Sequence, residues 1–207
     1  RYIYTQLNSL TRKIFRPEDD QILDYINDDG DIVEPRFYVP IIPMILINGS
    51  KGIGTGFSTE VLSYNILKII EKLNLKLNNQ KDEINLIPYY NNFNGTIEEV
   101  FSEKGKKYLI KGIFKKISRN KIAITELPIG TWTEDYKAYI DSLIDKKKEN
   151  VYIKDFTETC TDTTIDFMIE FYPNVLDELL NKSSKLSCND NIYITELEKY
   201  LKLYTTL

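Results

Sequence analysis

The chain carries fifteen tyrosines and no histidine. Histidine triads, histidine metal sites and histidine general bases are therefore excluded from it. A covalent mechanism needs another nucleophile, and tyrosine suits reversible phosphodiester transfer. Its phenol, with a pKa of about 10, leaves more readily than an alkoxide, so a strand broken onto it stays activated for resealing. A neighbouring arginine stabilises phosphorane charge and favours the phenolate. The chain opens on such a pair, Arg1-Tyr2, although side-chain types alone leave all fifteen tyrosines open.

A second cluster lies in Gly49-Ser50-Lys51-Gly52-Ile53-Gly54-Thr55-Gly56, which holds four glycines in eight residues. A phosphate-cradling P-loop needs its lysine directly after the last glycine, and this run does not provide it. Gly52-Ile53-Gly54-Thr55-Gly56-Phe57 also departs from the dinucleotide fingerprint at its third position. Two readings remain: a tight loop between strands, or backbone that comes very close to something else. Ile53 favours the second. An apolar β-branched residue stands between glycines where a solvated loop would favour polar ones, which suggests a presented wedge.

The formal net charge is −4, the opposite of the basic footprint typical of nucleic-acid-binding domains. Charge is unevenly placed, however. Between Lys104 and Lys121 stand eight basic residues and no acidic one. That stretch is either a phosphate-facing surface or, the favoured reading, lysines that keep an edge hairpin from pairing with other chains. Asp28-Asp29-Gly30-Asp31 lacks the further ligands of a calcium loop and reads as a solvated turn. Cys160 and Cys188 are too few for a disulfide framework and read as reduced thiols. No stretch approaches the roughly 20 apolar residues of a membrane span, so a soluble protein is expected. With no initiating Met and no leader, the chain reads as a piece of a longer one.

The elements that must position these residues read as α+β, a mixed sheet flanked by helices. A helix is expected over 63–78, with Ser63 as N-cap, Asn78-Asn79 as stop, and Ile66, Ile70, Leu73 and Leu77 on its buried face. Strands are expected over 106–117 and 121–127, joined across Ser118-Arg119-Asn120. Thr131 and Glu134 have capping-box spacing ahead of a helix running to about residue 145. Strands follow over 151–157 and 163–172, the second burying Ile165, Phe167, Ile169 and Phe171. Pro173 fits an early position of a short helix. Residues 181–191 read as a polar loop, and Thr195 and Glu198 repeat the capping-box spacing.

Several motifs, in order and in register, resemble the breakage-reunion region of type IIA DNA topoisomerases, in the branch of eukaryotes and large DNA viruses. They are Arg1-Tyr2, Phe15-Arg16-Pro17-Glu18-Asp19-Asp20, Glu34-Pro35, the run from Pro40 to Gly56, Phe93-Asn94-Gly95-Thr96-Ile97-Glu98, Ile124-Thr125-Glu126-Leu127-Pro128 and Thr131-Trp132-Thr133. Together they cover essentially the whole chain.

The resemblance implies that residues 1–37 end a winged-helix domain carrying the nucleophile Tyr2 and its partner Arg1. It implies that residues 38–207 form an α/β tower domain. Ile53 would wedge between base pairs, with Lys51, Gly52, Gly54 and Thr55 beside it at the DNA. The implied activity passes one duplex through a transient double-strand break in another, as a homodimer using ATP and Mg²⁺ bound outside this chain. The implied location is the nucleus, or a virus factory or host cytoplasm for a viral protein.

Three positions depart from the family pattern. Gly130 replaces a common arginine, Lys51 stands where relatives often carry an acidic or neutral residue, and Leu62 and Ile66 replace prolines. The alternative from another class is a non-catalytic α+β DNA-binding or scaffolding module in which Tyr2 only packs.

Overall fold

The computed structural model describes residues 3–80, 84–102, 105–144, 151–186 and 189–207. It divides into two compact units, residues 1–90 and 91–207. Within these residues the architecture is α+β, as the element pattern predicts. No described helix is long and apolar enough to cross a membrane.

The first unit is built from hairpins and short helices. After α1 (Thr11–Ile14), strands β1 (Tyr25–Asp28) and β2 (Asp31–Pro35) pair antiparallel. Asp29 and Gly30 both have positive φ, 50° and 102°, which matches the twist of a two-residue hairpin. The Asn27 side chain accepts the Gly30 N–H at 2.9 Å. The acidic run is thus the tip of this turn.

Helix α2 (Met44–Asn48) ends at Gly49, with φ of 68°. A Cβ there would lie 2.8 Å from the Val61 carbonyl oxygen, so only glycine fits. The chain then forms the ribbon of β3 (Ser50–Gly54) and β4 (Phe57–Val61) before α3 (Ile66–Leu77).

Helix α3 corrects the expected cap and face. Its N-cap is Asn65, whose side chain accepts from the Leu67 N–H at 2.9 Å. Ser63 instead donates its hydroxyl to the Tyr89 carbonyl, tying the 84–90 segment to the base of the helix. Ile69 is the buried residue, while Ile66 and Ile70 are exposed and Leu77 is 79% exposed. Apolar residues surround this helix, and two overlapping stripes fit its period, so spacing cannot choose between them. The stop at Asn78 and Asn79 holds, Asn79 taking φ of 53°. Ile66 occupies the first helical position, where proline is well tolerated, so its exchange for a proline is neutral to the turn.

The second unit carries the main core. Strands β5 (Thr96–Ser102) and β6 (Gly105–Lys111) are followed by β7 (Ile113–Lys116), β8 (Lys121–Glu126) and helix α4 (Thr133–Ile144). After β9 (Ile153–Glu158), β10 (Phe167–Phe171) and α5 (Val175–Asn181) come β11 (Ser183–Leu186), β12 (Asn189–Thr195), α6 (Glu196–Tyr200) and β13 (Tyr204–Thr206). Antiparallel pairing gives one sheet in the order β7-β8-β10-β9, another in the order β13-β6-β5, and the hairpin β11-β12.

Period-2 alternation on β8 and β10 turns Ile122, Ile124, Phe167, Ile169 and Phe171 to one face, all essentially fully buried. Tyr136 and Ile140 of α4, Leu176 of α5, and Leu197 and Leu201 close over that face. The Tyr136 ring meets Phe167 edge-on at 5.2 Å, and its buried hydroxyl donates to the Leu201 carbonyl at 2.9 Å. At the other end, Thr195 caps α6 through the expected box, with both reciprocal bonds to Glu198 formed.

Four further expectations are corrected here. The continuous strand over 106–117 is two strands in different sheets, broken at Gly112, whose N–H bonds the Leu203 carbonyl. A Cβ at Gly112 would lie 2.3 Å from the Glu126 carbonyl oxygen. Gly112→Ala should therefore cost about 1–3 kcal/mol, as in an overpacked core, measurable as a lower denaturant midpoint at unchanged slope. Residues 181–191 form most of a hairpin, because cross-strand pairing can carry polar, solvent-facing side chains. Helix α4 starts two residues after Thr131, whose N–H closes a turn onto the Pro128 carbonyl. Pro173 lies outside α5, whose N-cap is Asn174 in the left-handed region.

Candidate nucleic-acid interface

Strands β3 and β4 pair in the register Lys51↔Glu60, Gly52↔Thr59, Ile53↔Ser58 and Gly54↔Phe57, leaving Thr55-Gly56 as a two-residue turn. Gly56 supplies the positive φ, 81°, which the turn requires. Alternation assigns Lys51, Ile53, Ser58 and Glu60 to one face of the ribbon and Gly52, Gly54, Phe57 and Thr59 to the other. Nearly every residue of both strands is exposed, and only Val61, at the base, is half-buried.

Ile53 is 86% exposed at the end of this ribbon. Its flanking glycines have no reason to be glycine within the described residues. A Cβ on Gly52 would meet nothing within 4 Å, and one on Gly54 would first touch the Phe57 carbonyl at 3.8 Å. Neither residue has positive φ. The absence of side chains beside Ile53 thus serves close approach from outside rather than internal packing. An apolar side chain held out in water between bare backbone segments is suited to insertion into a stacked, apolar environment.

The ammonium of Lys51 is held by Glu60 at 3.0 Å, with both side chains more than half exposed. Screening makes such a pair weak, so it can exchange for a phosphate contact at small cost. Asn48, Ser50, Lys51, Glu60 and Tyr90 line a shallow cavity of about 260 Å³ at the foot of the ribbon. Burial raises the Tyr90 phenol above its ordinary pKa.

The basic stretch is largely committed internally. Lys106 pairs with Glu99 at 2.8 Å, Lys111 with Glu198 at 3.0 Å and Lys121 with Glu170 at 2.9 Å, while Lys116 meets Asp177. Half of its eight charges thus bind the chain's own carboxylates, as expected of a structural hairpin surface. Lys104 lies outside the described residues.

Arg1 and Tyr2 also lie outside the described residues, so their contacts are not part of this geometry. Other tyrosines are placed. Tyr136, Tyr139 and Tyr200 are raised in pKa by burial, which disfavours the phenolate a nucleophile must form. Tyr4, by contrast, is 91% exposed two residues from Tyr2. Among the described residues no group of three or more Asp, Glu, Cys or His side chains could hold a metal ion. Those residues do not fit a catalytic Mg²⁺ site. Sequence reasoning passed over Phe57, which is 83% exposed on the opposite face of the ribbon. Its signal was its place directly after the last glycine.

The family model for DNA gyrase and topoisomerase IV matches residues 1–206. A mitochondrial DNA topoisomerase 2 of Dictyostelium discoideum is 40% identical over 98% of this chain, and DNA topoisomerase 2 of Pisum sativum is 38% identical over 99% of it. These matches occupy 16% and 14% of the two relatives, so the chain spans about one sixth of their length. Among solved structures, the Plasmodium falciparum topoisomerase II DNA-binding, cleavage and re-ligation domain matches with a TM-score of 0.82 and 38% identity. That match covers all of this chain and 26% of the other.

An α+β chain with an exposed glycine-flanked ribbon, similar along its full length to a DNA cleavage domain, defines a DNA-processing class. The chain belongs to the type IIA DNA topoisomerase family. The relatives named here are eukaryotic DNA topoisomerase 2 proteins.

Proposed function

We propose that this chain forms part of the breakage-reunion machinery of an ATP-dependent type II DNA topoisomerase. The parent protein cleaves and reseals double-stranded DNA so that a second duplex can pass. The observation that carries this reading is the exposed Ile53 between sterically unneeded glycines, in a chain similar over its full length to a DNA cleavage and re-ligation domain.

In this reading the Tyr2 phenolic oxygen attacks a backbone phosphorus, forming a tyrosyl phosphodiester and expelling the sugar hydroxyl on the other side of the break. The reverse attack by that hydroxyl reseals the strand with no net consumption of the phosphodiester. The Arg1 guanidinium holds the phosphate through charge-assisted hydrogen bonds as negative charge builds on it. Ile53 enters the stack and bends the cleaved duplex, and Lys51, Gly52, Gly54 and Thr55 border it.

Residues 1–37 are assigned to the end of a winged-helix domain and residues 38–207 to a tower domain, so the division at residue 90 falls within the tower. ATP and Mg²⁺ act from parts of the parent outside this chain, and the parent works as a homodimer. The compartment is the nucleus by analogy with the eukaryotic relatives, one of which is named as mitochondrial.

Supercoiled plasmid tests this function in the full-length protein. Passage of a duplex through a double-strand break changes the linking number in steps of two. A ladder with steps of one, or no ATP-dependent relaxation, contradicts the reading. Arg1→Ala should slow covalent adduct formation by a larger factor than it weakens duplex binding. Equal losses of rate and affinity would reduce Arg1 to a docking contact.

A further inference from the structure

The β3–β4 ribbon exposes a second large apolar side chain that the wedge does not account for. Phe57 is 83% exposed. Its cross-strand partner is Gly54, and the next pair on the same face is Gly52↔Thr59, so little side-chain material covers the ring. The whole face, Ser50, Gly52, Gly54, Phe57, Thr59 and Val61, carries no charge. A carboxylate there would repel phosphate; the ribbon's one carboxylate, Glu60, sits on the Ile53 face, paired with Lys51.

Geometry links this face to the wedge. A two-stranded ribbon with side chains on both faces is about 10 Å thick. The minor groove of relaxed duplex DNA is about 6 Å wide and about 7.5 Å deep. An isoleucine side chain is much shorter than that depth, so Ile53 reaches the base step only when the ribbon itself enters the groove. A ribbon thicker than the groove then touches both walls. The Ile53 face meets the base step it opens, and the opposite face, with Phe57 beside the turn, meets the other wall.

We propose that Phe57 is a second DNA-contacting residue, whose ring packs on the deoxyribose edges of the groove wall opposite the Ile53 wedge and holds the groove open in the bent duplex. The proposal rests on the reading of Ile53 as an inserted wedge. A ring pressed on sugars needs no particular base, so the contact adds affinity and bend stability without sequence preference.

The full-length protein carrying the photo-reactive p-benzoylphenylalanine at position 57 tests this directly, with the same probe at position 53 as a control. Irradiation on a labelled duplex should join position 57 to DNA near the cleavage site. Phe57→Ala should weaken duplex binding by about tenfold, the order expected for losing one aromatic platform, and reduce bending, while Phe57→Trp stays close to the parent. Neither variant should shift the melting temperature, because the ring is already exposed. Crosslinks from position 57 to protein alone, while position 53 still joins DNA, would overturn the proposal and leave the wedge reading standing. Unchanged affinity and bending in Phe57→Ala would overturn it as well. Failure of both positions to join DNA would reject the wedge reading and Phe57 with it.

Discussion

Tyr2→Phe in the full-length protein is expected to reduce covalent protein–DNA adduct to background while leaving duplex affinity within about fivefold of the parent. The substitution deletes one oxygen. An ordinary hydrogen bond from that hydroxyl is worth about 1 kcal/mol, so binding changes little. The bond-forming atom is lost outright, so the covalent route has no substitute. The remaining tyrosines are poor replacements for separate reasons. Tyr136 is buried, with its hydroxyl bonded to the Leu201 carbonyl, and burial raises the phenols of Tyr139 and Tyr200. Tyr4 is the neighbour that matters, because its 91% exposure leaves it open to attack a phosphate if Tyr2 is not the nucleophile. Adduct that survives in Tyr2→Phe and disappears in Tyr4→Phe would transfer the role to Tyr4.

Ile53→Ala should lower duplex bending, read as energy transfer between dyes at the two ends, and reduce cleavage with it. Opening a base step costs a few kcal/mol, which the contacts of a bent duplex must offset. An alanine is too short to fill the opened step, so the bent state loses its main support. Stability should be unaffected: a side chain 86% exposed leaves no cavity when shortened. Core truncations cost about 2–5 kcal/mol, so a drop of that size with bending intact would make Ile53 a packing residue.

Local signals in the sequence carried over where one element decides its own geometry. The Thr195 and Glu198 box formed with both bonds, and the alternation through Phe167, Ile169 and Phe171 is the buried face of β10. The turn across Ser118-Arg119-Asn120 joins β7 to β8. Features set by neighbours were hidden. Nothing in the β-rich run 106–117 shows that Gly112 must pass against the Glu126 carbonyl, so the switch between sheets was invisible. Helix α3 carries apolar residues on more than one side, and only the rest of its unit selects Ile69.

The candidate site was legible in one respect and not in another. Ile53 stood out because an isoleucine between glycines contradicts ordinary loop composition. Its neighbour Phe57 looked like the start of an ordinary strand, because aromatic residues are common there. Only the pairing with Gly54, which leaves the ring bare, separates it from a core residue.

The central claim, that this chain supplies the DNA-cleaving nucleophile at Tyr2, is tested most directly by trapping the full-length protein on duplex DNA with denaturant during turnover. The trapped protein is digested with protease and nuclease, and the peptide bearing the residual nucleotide is sequenced by mass spectrometry. The account predicts a phosphotyrosyl linkage on Tyr2, in the peptide that continues Ile3-Tyr4-Thr5. A linkage on Tyr4 or any other residue, or protein recovered free of DNA, would contradict it.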